Sequence, residues 1–190
     1  SKNRQSKTMS QLKVNSIVPT GGLPSGSSGG IIQVKQTVLT AAISYSPSGP
    51  HVWTDMPNFN CTITPSSTSS NILIVIGIGA CHQNSGTIAG KLLRGSTDIG
   101  VGDANGNRPR SSFRMYGAAI YNTNHSGSYH FTFLDTGIAT TSATTYKLQT
   151  QAENGSSYPV YLNRSVQDTN EAYSYRSTTC STMTLYEVTN

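Results

Sequence analysis

Beyond residue 30, apolar and polar side chains alternate along most of the chain. Phe59, Cys61 and Ile63 fall on one side of an extended segment, with Asn60, Thr62 and Thr64 on the other. Tyr129, Phe131 and Phe133 share a face opposite His130, and Met183 and Leu185 lie opposite Thr182, Thr184, Tyr186 and Val188. Apolar residues nowhere recur at i, i+3, i+4 with the capping residues a helix requires. The pattern therefore predicts strands over 31–40, 58–65, 71–80, 88–95, 112–121, 128–135, 144–152, 159–163 and 179–188. The run NILIVIGIGA, 71–80, is apolar at both parities, which predicts a central strand covered on two sides.

Short strands separated by Gly, Asn, Ser and Pro point to an all-β domain over 31–190, two antiparallel sheets packed as a jelly roll or a related β-sandwich. A chain of 190 residues suffices for one such domain and is too short for two ordinary ones. Residues 1–30 read differently: a polar basic start, the alternating piece SQLKVNSIVPT, and the Gly/Ser-rich stretch GGLPSGSSGG, together an extended N-terminal arm with a hinge. The breaker-rich segment STDIGVGDANGNRPRSS, 96–112, predicts a surface lobe.

Charge changes this picture at one end only. Charged residues make up 11% of the chain and the net charge is +5, yet Lys2, Arg4, Lys7 and Lys13 give the first thirteen residues four positive charges and no negative one. Such an arm suits nucleic acid, an anionic membrane or an acidic protein surface, the plain alternative being a solvated terminus. Leu12, Val14 and Ile17 give it an apolar side able to pair with a partner. Cys61, Cys81 and Cys180 are odd in number and widely spaced, so neither a disulfide framework nor a zinc site is expected, and a reducing site of synthesis is. No leader-like apolar region is seen, and 71–80 is too short to span a bilayer as a helix, so membrane insertion is not expected.

Candidate chemistry is sparse. Gly26-Ser27-Ser28-Gly29-Gly30 matches the letters of a hydrolase nucleophile elbow, but Ser28 follows Pro24 and precedes a β-run where the motif needs a strand and then a helix. His51, His82, His125 and His130 are isolated, and no carboxylates sit at ligand spacing, so neither catalytic nor metal or cofactor residues are assigned. Asp103 to Asn107 has the letters of a partial calcium loop without its later Glu, and turn chemistry accounts for it equally well. Arg108, Arg110 and Arg114 form a basic cluster, and the tyrosines at 116, 121, 129, 146, 158, 161, 173 and 175 are numerous. The two together would suit sugar binding or base stacking, whereas tyrosines filling half-buried strand positions is the simpler account.

An ordered series of segments carries a family resemblance: MSQLKVNSIVPTGG (9–22), GGIIQV (29–34), ITPSSTSSNILI (63–74), TFLDTGIATTSATTYKLQ (132–149), VYLNR (160–164) and STMTLYEV (181–188). Over roughly residues 9–188 the chain resembles virion structural proteins of tailed phages, many from cyanobacterial hosts, with trimeric jelly-roll heads of the complement and tumour-necrosis-factor class. The resemblance implies a homotrimer in the virion, assembled in the host cytoplasm. Its arm, through Lys2, Arg4, Lys7, Leu12, Lys13, Val14 and Ile17, would attach to a capsid, tail or collar component. The β-domain would face outward, with Asp103, Asn105, Asn107, Arg108 and Arg110 in a loop open to a host-surface glycan. No shaft repeats precede the domain, so the expectation is a non-enzymatic short fibre or spike. The alternatives are a capsid decoration protein and, from another class, a polysaccharide-binding lectin or hydrolase; nucleic acid is not an expected partner.

Overall fold

Strand pairing turns the alternation into two sheets. The structure is a computed structural model and describes residues 30–83, 86–116, 127–167 and 169–188. Its strands are β1 (Ile31–Leu39), β2 (Ile43–Tyr45), β3 (Trp53–Ile63), β4 (Asn71–Gln83), β5 (Thr87–Arg94), β6 (Thr97–Ile99), β7 (Phe113–Tyr116), β8 (Gly127–Asp135), β9 (Thr144–Ala152), β10 (Val160–Leu162) and β11 (Ser181–Val188). Setting aside the three-residue strands β2, β6 and β10, the chain pairs with itself from the ends inward: β1 with β11, β3 with β9, β4 with β8, and β5 with β7. Successive pairs lie in alternate sheets, and all are antiparallel. That wrapping is a jelly roll.

The larger sheet runs β1-β11-β4-β8, with β10 and then β2 continuing beside the last residues of β4. The smaller runs β3-β9-β5, and β7 and β6 share the far edge of β5. Between the sheets, Ile72, Ile74, Ile76 and Ile78 of β4 and Met183 and Leu185 of β11 form one core with Phe59, Ile63, Ile88, Leu92, Tyr146 and Leu148. Each of these is at most 1% exposed, so each contributes about 1.5–3 kcal/mol by leaving water. The expected inward sets Phe59/Cys61/Ile63 and Met183/Leu185 are buried, and Phe131 and Phe133 pack against the same core.

Three expectations need correction. β3 begins at Trp53, ahead of the expected start at 58, and β2 and β6 form where only loop was expected. Within β3 the pairing with β9 shifts between Asp55 and Asn60, where Pro57 has no N–H to give and Asn58 has φ 57°. Over Ile72–Ile78 β4 is covered on one side, not two, and Ala80–Gln83 are buried at both parities. Its inner isoleucines meet the smaller sheet, whereas Leu73 and Val75 on the opposite face are only half-buried, by neighbours within their own sheet. Residues 1–29, which hold the arm and Ser28, and 117–126, the remainder of the expected strand 112–121 with Tyr121 and His125, lie outside the described residues.

Two buried carboxylates, both in register with Ile72 of β4, hold one end of the sandwich. Glu187 of β11 accepts hydrogen bonds from the Ser66 N–H at 2.7 Å, the Ser66 hydroxyl at 2.7 Å, the Ser70 hydroxyl at 2.6 Å and the Gln33 amide, tying the β3–β4 connection to β1 and β11. Burial pushes its pKa up, but the bonds from Ser70, Gln33 and Ser66 outweigh burial and bring it down to about 2. Asp135, 4% exposed, receives both a forked ion pair from Arg94 at 2.8 and 3.0 Å and the Tyr146 hydroxyl.

Candidate binding groove

On the outer face of the smaller sheet, strand register places Gln151 of β9 beside Ala89 of β5, and Ala89 beside Arg114 of β7. The inward side chains of β9 at Tyr146, Leu148, Thr150 and Ala152 are buried, so Gln151 points the other way. The connection from β6 to β7 then folds alongside this face. Gly102 N–H donates to Ser111 O at 3.1 Å, Ser112 N–H to Gly90 O at 2.8 Å, and the Ser112 hydroxyl accepts from Leu92 N–H at 3.0 Å. A turn closed by Arg108 N–H to Asn105 O at 3.3 Å, with Gly106 at φ 58°, reverses the loop and sets Arg108 and Pro109 at its rim.

The result is an open groove of about 610 Å³. Its floor is Thr87, Ala89, Arg114 and Gln151. Arg108, Pro109 and Ser111 form one wall, and His51 and Glu153 the other. His51 is fixed in a left-handed conformation, φ 59°, by its N–H to Ala152 O at 3.0 Å and by the Gln151 amide donating to its carbonyl at 2.6 Å. Glu153 accepts from Thr87 N–H at 3.0 Å through Oε2. Among the described residues Arg114 reaches only the Thr87 hydroxyl, at 3.4 Å, and the Arg108 guanidinium has no hydrogen bond or ion pair. Two guanidinium groups thus share the groove with one carboxylate that is already engaged at one oxygen.

Of the loop residues proposed for host contact, the groove takes one. Arg108 lines it; Asp103, Asn105, Asn107 and Arg110 are exposed on the same loop but do not. Arg110 turns back, its Nε donating to Gly102 O at 2.6 Å, and so braces the loop. The tyrosines whose side chains are described are not gathered with the arginines of the groove. Tyr146 is in the core, Tyr161 lies under Arg164, and Tyr173 stacks on Tyr175 with ring centres 5.2 Å apart. His82 is buried in β4 and His130 exposed on β8, and among the described residues no three His, Cys, Asp or Glu side chains converge as a metal site would need. The arm residues Lys2, Arg4, Lys7, Leu12, Lys13, Val14 and Ile17 lie outside the described residues.

The two outer faces of the sandwich differ in kind. Around the groove, the smaller sheet carries paired charges: Lys91 to Asp98 at 3.1 Å, Lys91 4.5 Å over the Trp53 ring, and Lys147 to Asp55 at 2.7 Å, whose hydrogen bond lowers the Asp55 pKa. The larger sheet shows no charge across its middle. Register there aligns Val34, Tyr186, Leu73 and Leu134 in one row over four strands. The next two rows are Gln36, Thr184, Val75, Thr132 and Val38, Thr182, Gly77, His130. Val34 and Val38 are each 50% exposed and Leu134 45%.

Compared with models of known protein families and with curated proteins, the chain matches none.

Proposed function

We propose that this chain is a non-enzymatic structural protein of a phage virion, a short trimeric fibre or spike that attaches through residues 1–30 and presents its jelly roll to the host surface. The observation that carries this reading is the unlikeness of the two outer faces. An uncharged face with an apolar row suits contact between identical copies, because a charge on it would meet the same charge on its neighbour. The opposite face, with its paired charges and open groove, suits solvent and a ligand. A trimer built on the larger sheet would bury Val34, Tyr186, Leu73 and Leu134 and leave the groove outward. The resemblance of the ordered segments to those of tailed-phage virion proteins supports the same placement. The basic, apolar-alternating arm fits a docking strand whose weak single contact is multiplied by three copies.

Particles encoded by the genome that carries this chain provide the test. Labelling with an antibody against residues 31–190 is expected to mark a few dozen or fewer copies per particle. Hundreds of copies over the head would replace the fibre reading with capsid decoration, and an unlabelled particle would overturn the virion reading altogether.

A further inference from the structure

We propose that the groove between the β6–β7 loop and the outer face of β5, β7 and β9 binds an acidic saccharide, with the sugar's carboxylate held by Arg108 and Arg114. A planar carboxylate accepts paired hydrogen bonds from guanidinium groups, and both arginines present donors that no acidic side chain among the described residues uses. The remaining lining matches the rest of a sugar. Gln151 spends its amide on the His51 carbonyl, which leaves its side-chain oxygen to accept from a hydroxyl. Glu153 has Oε1 for the same purpose, and Ser111 adds a hydroxyl. Ala89 and Pro109 give small apolar surfaces for the C–H face of a ring. The volume is in the range that holds a small ligand, and the open form admits a residue within a longer glycan chain.

Charge selects the class. Two arginines against Glu153 leave the groove with one net positive charge, which fits a single carboxylate. A polyanion tracking across this face would meet Glu153 and then charges already paired, Asp55 with Lys147 and Asp98 with Lys91, and apart from His51 no described aromatic side chain lines the groove for bases to stack on. The proposal deepens the host-contact role given above. It rests on that role only for the source of the glycan, since binding by the isolated chain does not depend on where the protein sits.

The full chain titrated calorimetrically with trigalacturonic acid, and separately with the neutral galactotriose, tests the proposal. Binding of the acidic trisaccharide is expected, at least about tenfold tighter than that of the neutral one, and Arg108→Gln and Arg114→Gln should each weaken it about 10- to 100-fold. Lys35→Gln, which removes the same charge from β1 on the other sheet, should leave it unchanged. Equal affinity for both sugars, no heat with either, or a loss with Lys35→Gln matching that of the arginine variants would overturn the proposal. Selective binding by a chain missing from the particle would instead overturn the virion reading and leave the groove's assignment standing.

Discussion

The Tyr146 hydroxyl on β9 donates a 2.7 Å hydrogen bond to Asp135 on β8, joining the two sheets through a carboxylate that also receives Arg94 from β5. Burial, then this bond to an acid, push the Tyr146 pKa above its ordinary value, so the phenol stays a donor wherever the domain is folded. Tyr146→Phe keeps the ring in the core and removes only the bond. It should lower unfolding free energy by about 1–2 kcal/mol in a denaturant titration. Asp135→Ala also strands the part-buried Arg94 and should cost about 3 kcal/mol or more. A smaller loss for Asp135→Ala than for Tyr146→Phe would mean that the ion pair does not hold the sheets.

Glu187 makes stability depend on acid. Its pKa in the folded protein, about 2, is below the ordinary 4.5, so the folded state favours the charged form. The associated stabilisation is fully present above about pH 4.5 and is lost as pH falls toward 2, amounting to roughly 3 kcal/mol. Glu187→Gln should be less stable at pH 7 and lose less between pH 5 and pH 2.5. Parallel pH profiles for the two proteins, followed by thermal unfolding, would place the acid sensitivity elsewhere.

Tyr186 stands in the exposed apolar row of the larger sheet and Thr182 two rows away, beside Val38 and Gly77. If copies meet on this face, Tyr186→Ser should raise the dissociation constant of the trimer by about tenfold or more, and Thr182→Ser should change it little. Sedimentation equilibrium gives both values, and equal shifts would move the interface off this row.

Glycines separate packing from backbone freedom near the groove. At Gly155, φ 53°, an added Cβ would lie 2.1 Å from Pro50 N, one residue before His51. Gly155→Ala should therefore destabilise the fold by about 2 kcal/mol or more and weaken acidic-sugar binding by displacing the His51 wall. At Gly95, φ 59°, nothing lies within 4 Å, so Gly95→Ala carries only the backbone term, about 1 kcal/mol, with binding intact. Comparable unfolding midpoints for the two variants would contradict the packing at Gly155.

The long strands were legible because Phe59/Cys61/Ile63 and Met183/Leu185 alternate cleanly, and one buried face demands that alternation. β2 and β6 were not, since three residues at a sheet edge carry too little pattern to separate them from loop. The start of β3 was hidden by Asp55, Pro57 and Asn58, which read as a break and do mark one, in the register. In the groove, Arg108 and Arg114 stood out as a cluster in the sequence. Thr87, His51, Gln151 and Glu153 had no local signal, because the registers of β5 with β9 and β7, and the hydrogen bonds of His51 to Ala152 and Gln151, bring them together from separate parts of the chain. The one-sided cover of β4 over Ile72–Ile78 is likewise a property of layers, invisible in a run that is apolar at both parities.

Cryo-electron microscopy of the intact particle, with this domain fitted into its density, bears most directly on the proposed role. Copies should stand in threes, with Val34, Tyr186, Leu73 and Leu134 turned toward a shared axis, the Arg108–Arg114 groove outward, and residue 30 directed at the particle. Density for single copies whose larger-sheet face meets solvent, or particles without the domain, would contradict it.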